Sequence, residues 1–459
     1  MNQLKKAMNE SALIRWGVLL LVSFVMAANY YFYDCMSPLF DQLRIHLKFS
    51  ATDFGFLMST YSIPNVFLFM AVIGGMILDK LGIRSTGLSF IFLMVIGSFI
   101  TAYGASDYYR SGGFGYHFMG SFMTSYTPEL KMMSLGFFLF GFGAETSIVV
   151  ISKIIVKWFK GKQLAFAMGV NLAIARIGTA LAFNISPILV SENYWSRPIA
   201  FASGLLFIGI FAFIVYMIID VKLDKQIKYQ NIASAEDEFK FSDLFKLIRI
   251  PAFIYISLLC VTFYSAVFPF MKYATDMMQN KFNFSRELSS NITSIIPYAT
   301  AVFTPLFGLI TDYKGKSASI MILGSLILII VHFTFTFTSI TPYIPMSLLG
   351  IGFSLIPAAM WPSVAKIVST NKIGTAYGFI FSVQNFGLWL FPILIGYVLD
   401  KSNPGVTQEL VDQGKAVFDY TNSILMLMFL GILGLIFAIL LKRNDKVSGF
   451  GLEKPNQSK

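Results

Sequence analysis

The sequence is short of charge. Only 13% of its 459 residues are Asp, Glu, Lys or Arg, against about 25% in a soluble domain. That shortage excludes an ordinary water-facing surface. Cysteine is nearly missing too. Cys35 and Cys260 both fall in apolar segments, so no disulfide framework exists and redox compartment is not encoded. The three histidines, His46, His117 and His332, have no Asp five residues on, and no Gly-x-Ser-x-Gly occurs. A nucleophile with its base and orienting partner is therefore missing. No enzyme activity, cofactor or metal is expected. A cleavable leader is not evident either. Residues 1–13 are polar, and the apolar run from Ile14 outlasts a signal h-region.

What is abundant is apolar side chain. Hydrophobic residues make up 56% of the chain, and Phe alone numbers 48. No soluble core buries that much, so the solvent is a lipid bilayer. The net charge of +11 does not point to nucleic acid, because the lysines cluster in loops between apolar runs, as cytoplasmic loops require.

A spanning helix needs roughly 20 mostly apolar residues. Twelve such segments are read near 14–40, 53–78, 85–105, 132–156, 163–190, 198–220, 250–274, 289–311, 318–339, 342–369, 373–399 and 417–441. An even number puts both termini on one side. With the termini and the even-to-odd loops inside, the cytoplasmic segments hold 24 of the 35 Lys and Arg, the opposite loops 10, and one Arg lies within a span. That asymmetry predicts cytoplasmic N- and C-termini.

The longest charged interior segment, 221–249, divides the chain into an N-terminal six-helix half, 1–220, and a C-terminal half with its tail, 250–459. An internal repeat supports the division. Gly75-Met-Ile-Leu-Asp79-Lys-Leu-Gly82 closes the second span, and Gly308-Leu-Ile-Thr-Asp312-Tyr-Lys-Gly315 closes the eighth. A weaker echo pairs Ala167-Met-Gly169 with Ala376-Tyr-Gly378. The expected architecture is all-α: twelve transmembrane helices in two pseudo-symmetric six-helix bundles.

Charges inside spans are the sharper signal, since each costs roughly 2.5–3.5 kcal/mol at mid-helix. Glu145 and Arg176 each lie about thirteen residues into neighbouring predicted spans, near the bilayer midplane at 1.5 Å per residue. One reading is a permanent ion pair joining two helices. The other is a two-charge clamp at the depth of a transport site, with the pair closing on itself when empty. A zwitterion fits such a clamp: the planar fork of Arg176 takes a carboxylate with two hydrogen bonds, and Glu145 accepts an ammonium. Tyr33, Tyr61 and Trp361, beside Pro38, Pro64 and Pro362, are further candidates for substrate contact, as is Asn385. Asp34, in the outer part of the first span, is read either as a proton-coupling site or as a charge at the outer mouth. His332, alone in a Phe/Thr stretch, is read as structural.

Gly75-x-x-x-Asp79-Lys80-x-Gly82-x-Arg84 resembles the signature between the second and third helices of the major facilitator superfamily, with Ile83 where that pattern is usually basic. Gly75, Asp79 and Arg84, with Asp312 in the repeat, are read as a conformational latch rather than a substrate site. More specifically, the chain resembles the branch of that superfamily containing the lysosomal dipeptide uniporter and its bacterial relatives. The matching stretches are Tyr30-Tyr-Phe-Tyr-Asp34, Tyr61-Ser-Ile-Pro-Asn65, Gly143-Ala-Glu145-Thr, Trp158-Phe-Lys-Gly-Lys162, Ala175-Arg176-Ile-Gly178, Met360-Trp-Pro-Ser-Val364, Gly374-Thr-Ala-Tyr-Gly378 and Gln384-Asn385. The resemblance implies a small-molecule substrate, a dipeptide whose amino and carboxyl ends are held by Glu145 and Arg176. The resemblance departs at the N-terminus. Glu10-Ser-Ala-Leu13-Ile14 has one spacer too few for an acidic dileucine signal. That departure counts against the family's accessory glycoprotein subunit, and favours a bacterial plasma membrane over a lysosomal one. Two rivals remain for comparison. A facilitator of another organic anion would use Arg176 but gain nothing from Glu145. The proton-coupled oligopeptide transporters carry an ExxER signature in the first helix, and it is absent here.

Overall fold

The structure, a computed structural model, describes residues 8–191, 194–227, 241–369 and 372–455, without the side chains of 165, 227 and 241–243. Among the described residues every regular element is helical. In a bilayer that is the expected solution, because a helix satisfies its backbone N–H and C=O groups internally.

Twelve long elements carry the fold: α1 (Ala12–Asp34), α2 (Ala51–Ser59), α3 (Met70–Gly104), α4 (Pro128–Phe159), α5 (Leu164–Leu189), α6 (Arg197–Ile227), α7 (Pro251–Phe282), α8 (Ile295–Lys314), α9 (Ser317–Phe337), α10 (Tyr343–Ile367), α11 (Ile373–Ser402) and α12 (Thr421–Ser448). Eleven helices among the described residues are long and apolar enough to cross a membrane. The twelfth crossing is hidden in two breaks. The second span runs through α2, a 3-10 turn at Thr60–Ser62, a short helix Ile63–Phe67 and the first part of α3. Gly82 then turns the chain within α3, at φ 77° and ψ 167°, a conformation that a Cβ disfavours. Everything in α3 past Gly82 is the third span.

The expected segment 221–249 is partly helical. α6 continues to Ile227, and Phe241–Leu247 forms a short helix. The rest of that segment, 228–240, lies outside the described residues.

The halves pack internally through small residues. At Gly97 of α3 an added Cβ would meet the backbone of Phe140 and Gly136 at 2.3 and 2.6 Å, so α3 and α4 are held backbone against backbone. Large apolar side chains on the outer sides stay exposed, Phe92, Phe99, Phe207 and Phe211 among them, as a lipid-facing surface requires.

Both described chain ends lie on one face. Met8 N donates to Gln226 Oε1 near the end of α6 at 2.8 Å, and Ser317 N, between α8 and α9, donates to Leu452 O at 3.0 Å. On this terminal face a cleft of about 550 Å³ opens between the halves, lined by residues of α3, α4 and α11. On the opposite, far face the halves are closed. Asp400 of α11 accepts from the N–H groups of Ala51 and Thr52 at 3.0 and 2.8 Å, capping the positive end of α2 from the other half. Arg44 pairs with Asp276, and Arg286 with Asp41. Glycines permit the closure: a Cβ on Gly55 would meet Pro392 O at 2.2 Å, and one on Gly396 would meet Ala51 O at 2.1 Å.

Candidate functional site

The break in the second span builds one wall of the site. Pro64, in the first turn of Ile63–Phe67, has no N–H to give to a continuing helix. The preceding 3-10 turn carries Tyr61, whose ring packs edge-on against Tyr33 of α1 at a centroid distance of 4.5 Å. The Tyr61 hydroxyl donates to Glu145 Oε1 at 2.7 Å. Asn65 Oδ1 accepts from Ala71 N at 3.0 Å and so caps the restarted helix. Glu145, half-buried on α4, lines the cleft with Gly75, Asp79, Tyr377 and Phe381.

Arg176, half-buried on α5, does not close onto Glu145 as expected for an empty site. Among the described residues no carboxylate forms an ion pair with it. Its guanidinium lies 5.6 Å from the ring centres of Tyr30 and Phe268 and 5.3 Å from that of Phe353. The reason is a division of partners. Tyr61 satisfies the carboxylate, and the negative faces of three aromatic rings attract the guanidinium. Two opposite charges therefore stand in one interior, each held by something other than its counterpart.

The C-terminal half contributes an aromatic wall. Trp361 Nε1 donates to Tyr264 Oη at 3.3 Å, its ring stacks on Phe381 at 5.0 Å, and Tyr377 Oη donates to Trp361 O at 3.0 Å. Tyr264 and Phe268 both meet Phe353 edge-on. This joins Trp361 to the rings around Arg176. Asn385 is buried on α11 and donates back to Phe381 O at 3.0 Å. His332 is buried, with Nδ1 2.9 Å from Leu328 O.

Asp34 is not at an open mouth. It is 2% exposed and pairs at 2.8 Å with Lys272 of α7. Lys272 falls inside the expected seventh span, 250–274, although the charge count places it with the outer loops; α7 runs on to Phe282, so this lysine is well inside the helix. Its signal was a cation inside an apolar run. Phe268 and Phe353 gave no signal, being two among 48 Phe.

At the terminal face Asp79 pairs with Lys153 of α4. Arg84 and Lys157 both pair with Asp220 and Asp224 of α6. Gly75 has open space above it and faces the cleft, and it is Gly74 whose Cβ would meet Thr146 of α4, at 2.6 Å. Asp312 sits at the end of α8, before the positive-φ turn at Gly315.

The family model described as Major Facilitator Superfamily matches residues 19–392, with a second match over 273–455. The lysosomal dipeptide transporter MFSD1 of Mus musculus is 33% identical over 84% of this chain and 80% of its own length. The protein of that name from Homo sapiens is 31% identical over 83% and 79%. Among solved structures, a bacterial homolog to the human lysosomal transporter Spinster, in an inward-facing and occupied conformation, superposes with a TM-score of 0.68. It is 13% identical and the match covers 95% of this chain and 98% of that one. The twelve-helix plan, the repeated glycine–aspartate turns and these matches agree, and the chain belongs to the major facilitator superfamily.

Proposed function

We propose that this protein carries zwitterionic dipeptides across its membrane by alternating access, as a uniporter. The observation that carries the reading is the pair Glu145 and Arg176: opposite charges inside two packed helices, the first lining the cleft and the second held against aromatic rings, not neutralised by each other. A dipeptide brings an ammonium for Glu145 and a carboxylate for the Arg176 fork, so neither charge is left bare on occupation. The aromatic wall of Trp361, Tyr264 and Phe381 gives the peptide's side chains an apolar surface that makes few demands on their identity. The named function of the relatives supports the same substrate class. A facilitator of simple organic anions fits less well, because Glu145 would oppose an anion beside it. The charge asymmetry of the loops supports cytoplasmic termini, and the cleft then opens inward. The incomplete dileucine segment supports a bacterial plasma membrane, without the accessory glycoprotein subunit.

The test is thermal stabilisation of the purified protein by free dipeptides, N-acetylated dipeptides, tripeptides, single amino acids and organic anions. A ligand that binds the folded state raises its apparent stability. Free dipeptides are expected to stabilise, and their N-acetylated forms to lose most of the effect, since acetylation removes the ammonium that pairs with Glu145. Equal stabilisation by organic anions and dipeptides would overturn the reading.

A further inference from the structure

Lys272 takes no part in the proposed clamp, yet it is a charged residue 2% exposed within a membrane helix. Among the described residues its hydrogen bonds, ion pair and ring contact are made to α1, in the other half of the protein. Nζ donates to Tyr33 O and to Asp34 Oδ1, each at 2.8 Å, and sits 3.5 Å from the centre of the Tyr33 ring. α1 ends at Asp34, so the Tyr33 carbonyl is one of the last four that have no intrahelical donor. It also lies at the negative end of the helix dipole. The ammonium thus caps α1, neutralises Asp34 and fixes the Tyr33 ring at once.

That ring leads to the clamp. Tyr33 packs on Tyr61 at 4.5 Å, and Tyr61 donates to Glu145 at 2.7 Å. We infer that Lys272 and Asp34 are positioning residues that tie the occupancy of Glu145 to closure of the far face. The inference rests on Glu145 as the amine anchor. A substrate ammonium reaching Glu145 competes with the Tyr61 hydroxyl, and it brings a full positive charge to the carboxylate where Tyr61 brings only a neutral donor. Displaced, Tyr61 withdraws one wall of the seat that Tyr33 provides for Lys272. In the other direction, separation of α1 from α7 pulls Lys272 away, frees Tyr33 and releases Tyr61 from Glu145. Coupling between two sites is reciprocal, so both statements describe one free energy. The Arg44–Asp276 and Arg286–Asp41 pairs close the same face but lie off this chain of contacts. They act as fasteners and do not report on the site.

Cys35 is a native reporter. It follows Asp34 directly, is fully buried, and carries a free thiol. The experiment uses the purified full-length protein with Cys260→Ala and measures the rate at which a maleimide modifies Cys35. The double variant Lys272→Met with Asp34→Asn removes both charges, so neither is left unpaired. Without ligand it is expected to label about tenfold faster than the parent, the factor that follows from losing roughly one buried hydrogen bond. Lys272→Arg, which keeps the cation and its donors, is expected to restore the slow rate. A free dipeptide accelerates labelling of the parent, an N-acetylated dipeptide does not, and neither changes the double variant. Equal ligand-free rates in parent and double variant overturn the inference, as does a dipeptide response that survives in the double variant. The ligand-free comparison needs no substrate. Failure of the dipeptide reading itself appears separately, as no thermal stabilisation of the parent.

Discussion

The Tyr61 hydroxyl occupies Glu145 at 2.7 Å, while Arg176 is held by aromatic faces rather than by that carboxylate. The empty site is thus kept by a neutral donor that a substrate ammonium can replace. Tyr61→Phe leaves Glu145 without this donor. A lost partner at such an acceptor costs about 1–3 kcal/mol, at the low end here because Glu145 is half-buried and reached from the cleft. The ligand-free melting temperature is expected to fall, and the shift produced by a saturating dipeptide to grow, because the ammonium restores what the mutation removed. A smaller shift than in the parent would show that Tyr61 itself holds the substrate.

Arg176 is expected to fail differently when replaced by Ala and by Lys. Arg176→Ala should abolish dipeptide uptake with normal amounts of protein in the membrane. Arg176→Lys keeps a charge but loses both the two-pronged fork and the flat surface that faces Phe268 and Phe353. Uptake by the Lys variant is expected to be down by roughly tenfold or more. Near-parental uptake by Lys would dispose of the fork, and near-parental uptake by Ala would dispose of the site.

The fold was legible because lipid leaves a chain few options. The apolar runs, the loop charges and the Gly75 and Gly308 repeats together specify twelve helices. Helix ends were less legible. α7 extends to Phe282 and α6 to Ile227, and a helix that continues past the bilayer carries no hydropathy signal there. Lys272 lies within the apolar run 250–274, two residues from its end, where a lysine reads as the start of an outer loop. Glu145 and Arg176 stood out because charge in an apolar run is costly. What the sequence could not reveal was partnership. Adjacency on neighbouring helices implied an ion pair, whereas the turn at Thr60–Ser62 brings Tyr61 to the carboxylate first.

The orientation of the chain is testable at two exposed positions on opposite faces. Lys160 lies in the turn between α4 and α5 on the terminal face, and Ser111 in the insertion between α3 and α4 on the far face. Both native cysteines are buried and give little background. In intact cells a membrane-impermeant maleimide is expected to label Ser111→Cys, and to label Lys160→Cys only after the membrane is permeabilised. The reverse pattern would invert the topology and with it the direction in which the cleft opens.

The last prediction is that transport proceeds without an obligatory proton. Two acidic residues are candidates for a proton carrier, Glu145 and Asp34. Glu145 is held by the neutral Tyr61 hydroxyl rather than paired with Arg176. The site offers one negative and one positive group, and a zwitterionic dipeptide supplies one of each, so charge balance on binding is complete without a proton. Asp34 is engaged in a buried pair with Lys272 and in the closure of the far face. Removing it should impair the conformational change rather than a proton pathway. Proteoliposomes loaded with a pH-sensitive dye distinguish the two. A neutral dipeptide added outside is expected to enter at the same initial rate with and without an imposed pH gradient, and to leave the internal pH unchanged. Asp34→Asn is expected to alter the rate of entry and still produce no pH change. Acidification that accompanies the dipeptide, and that disappears in Asp34→Asn, would make Asp34 the coupling residue and the protein a symporter.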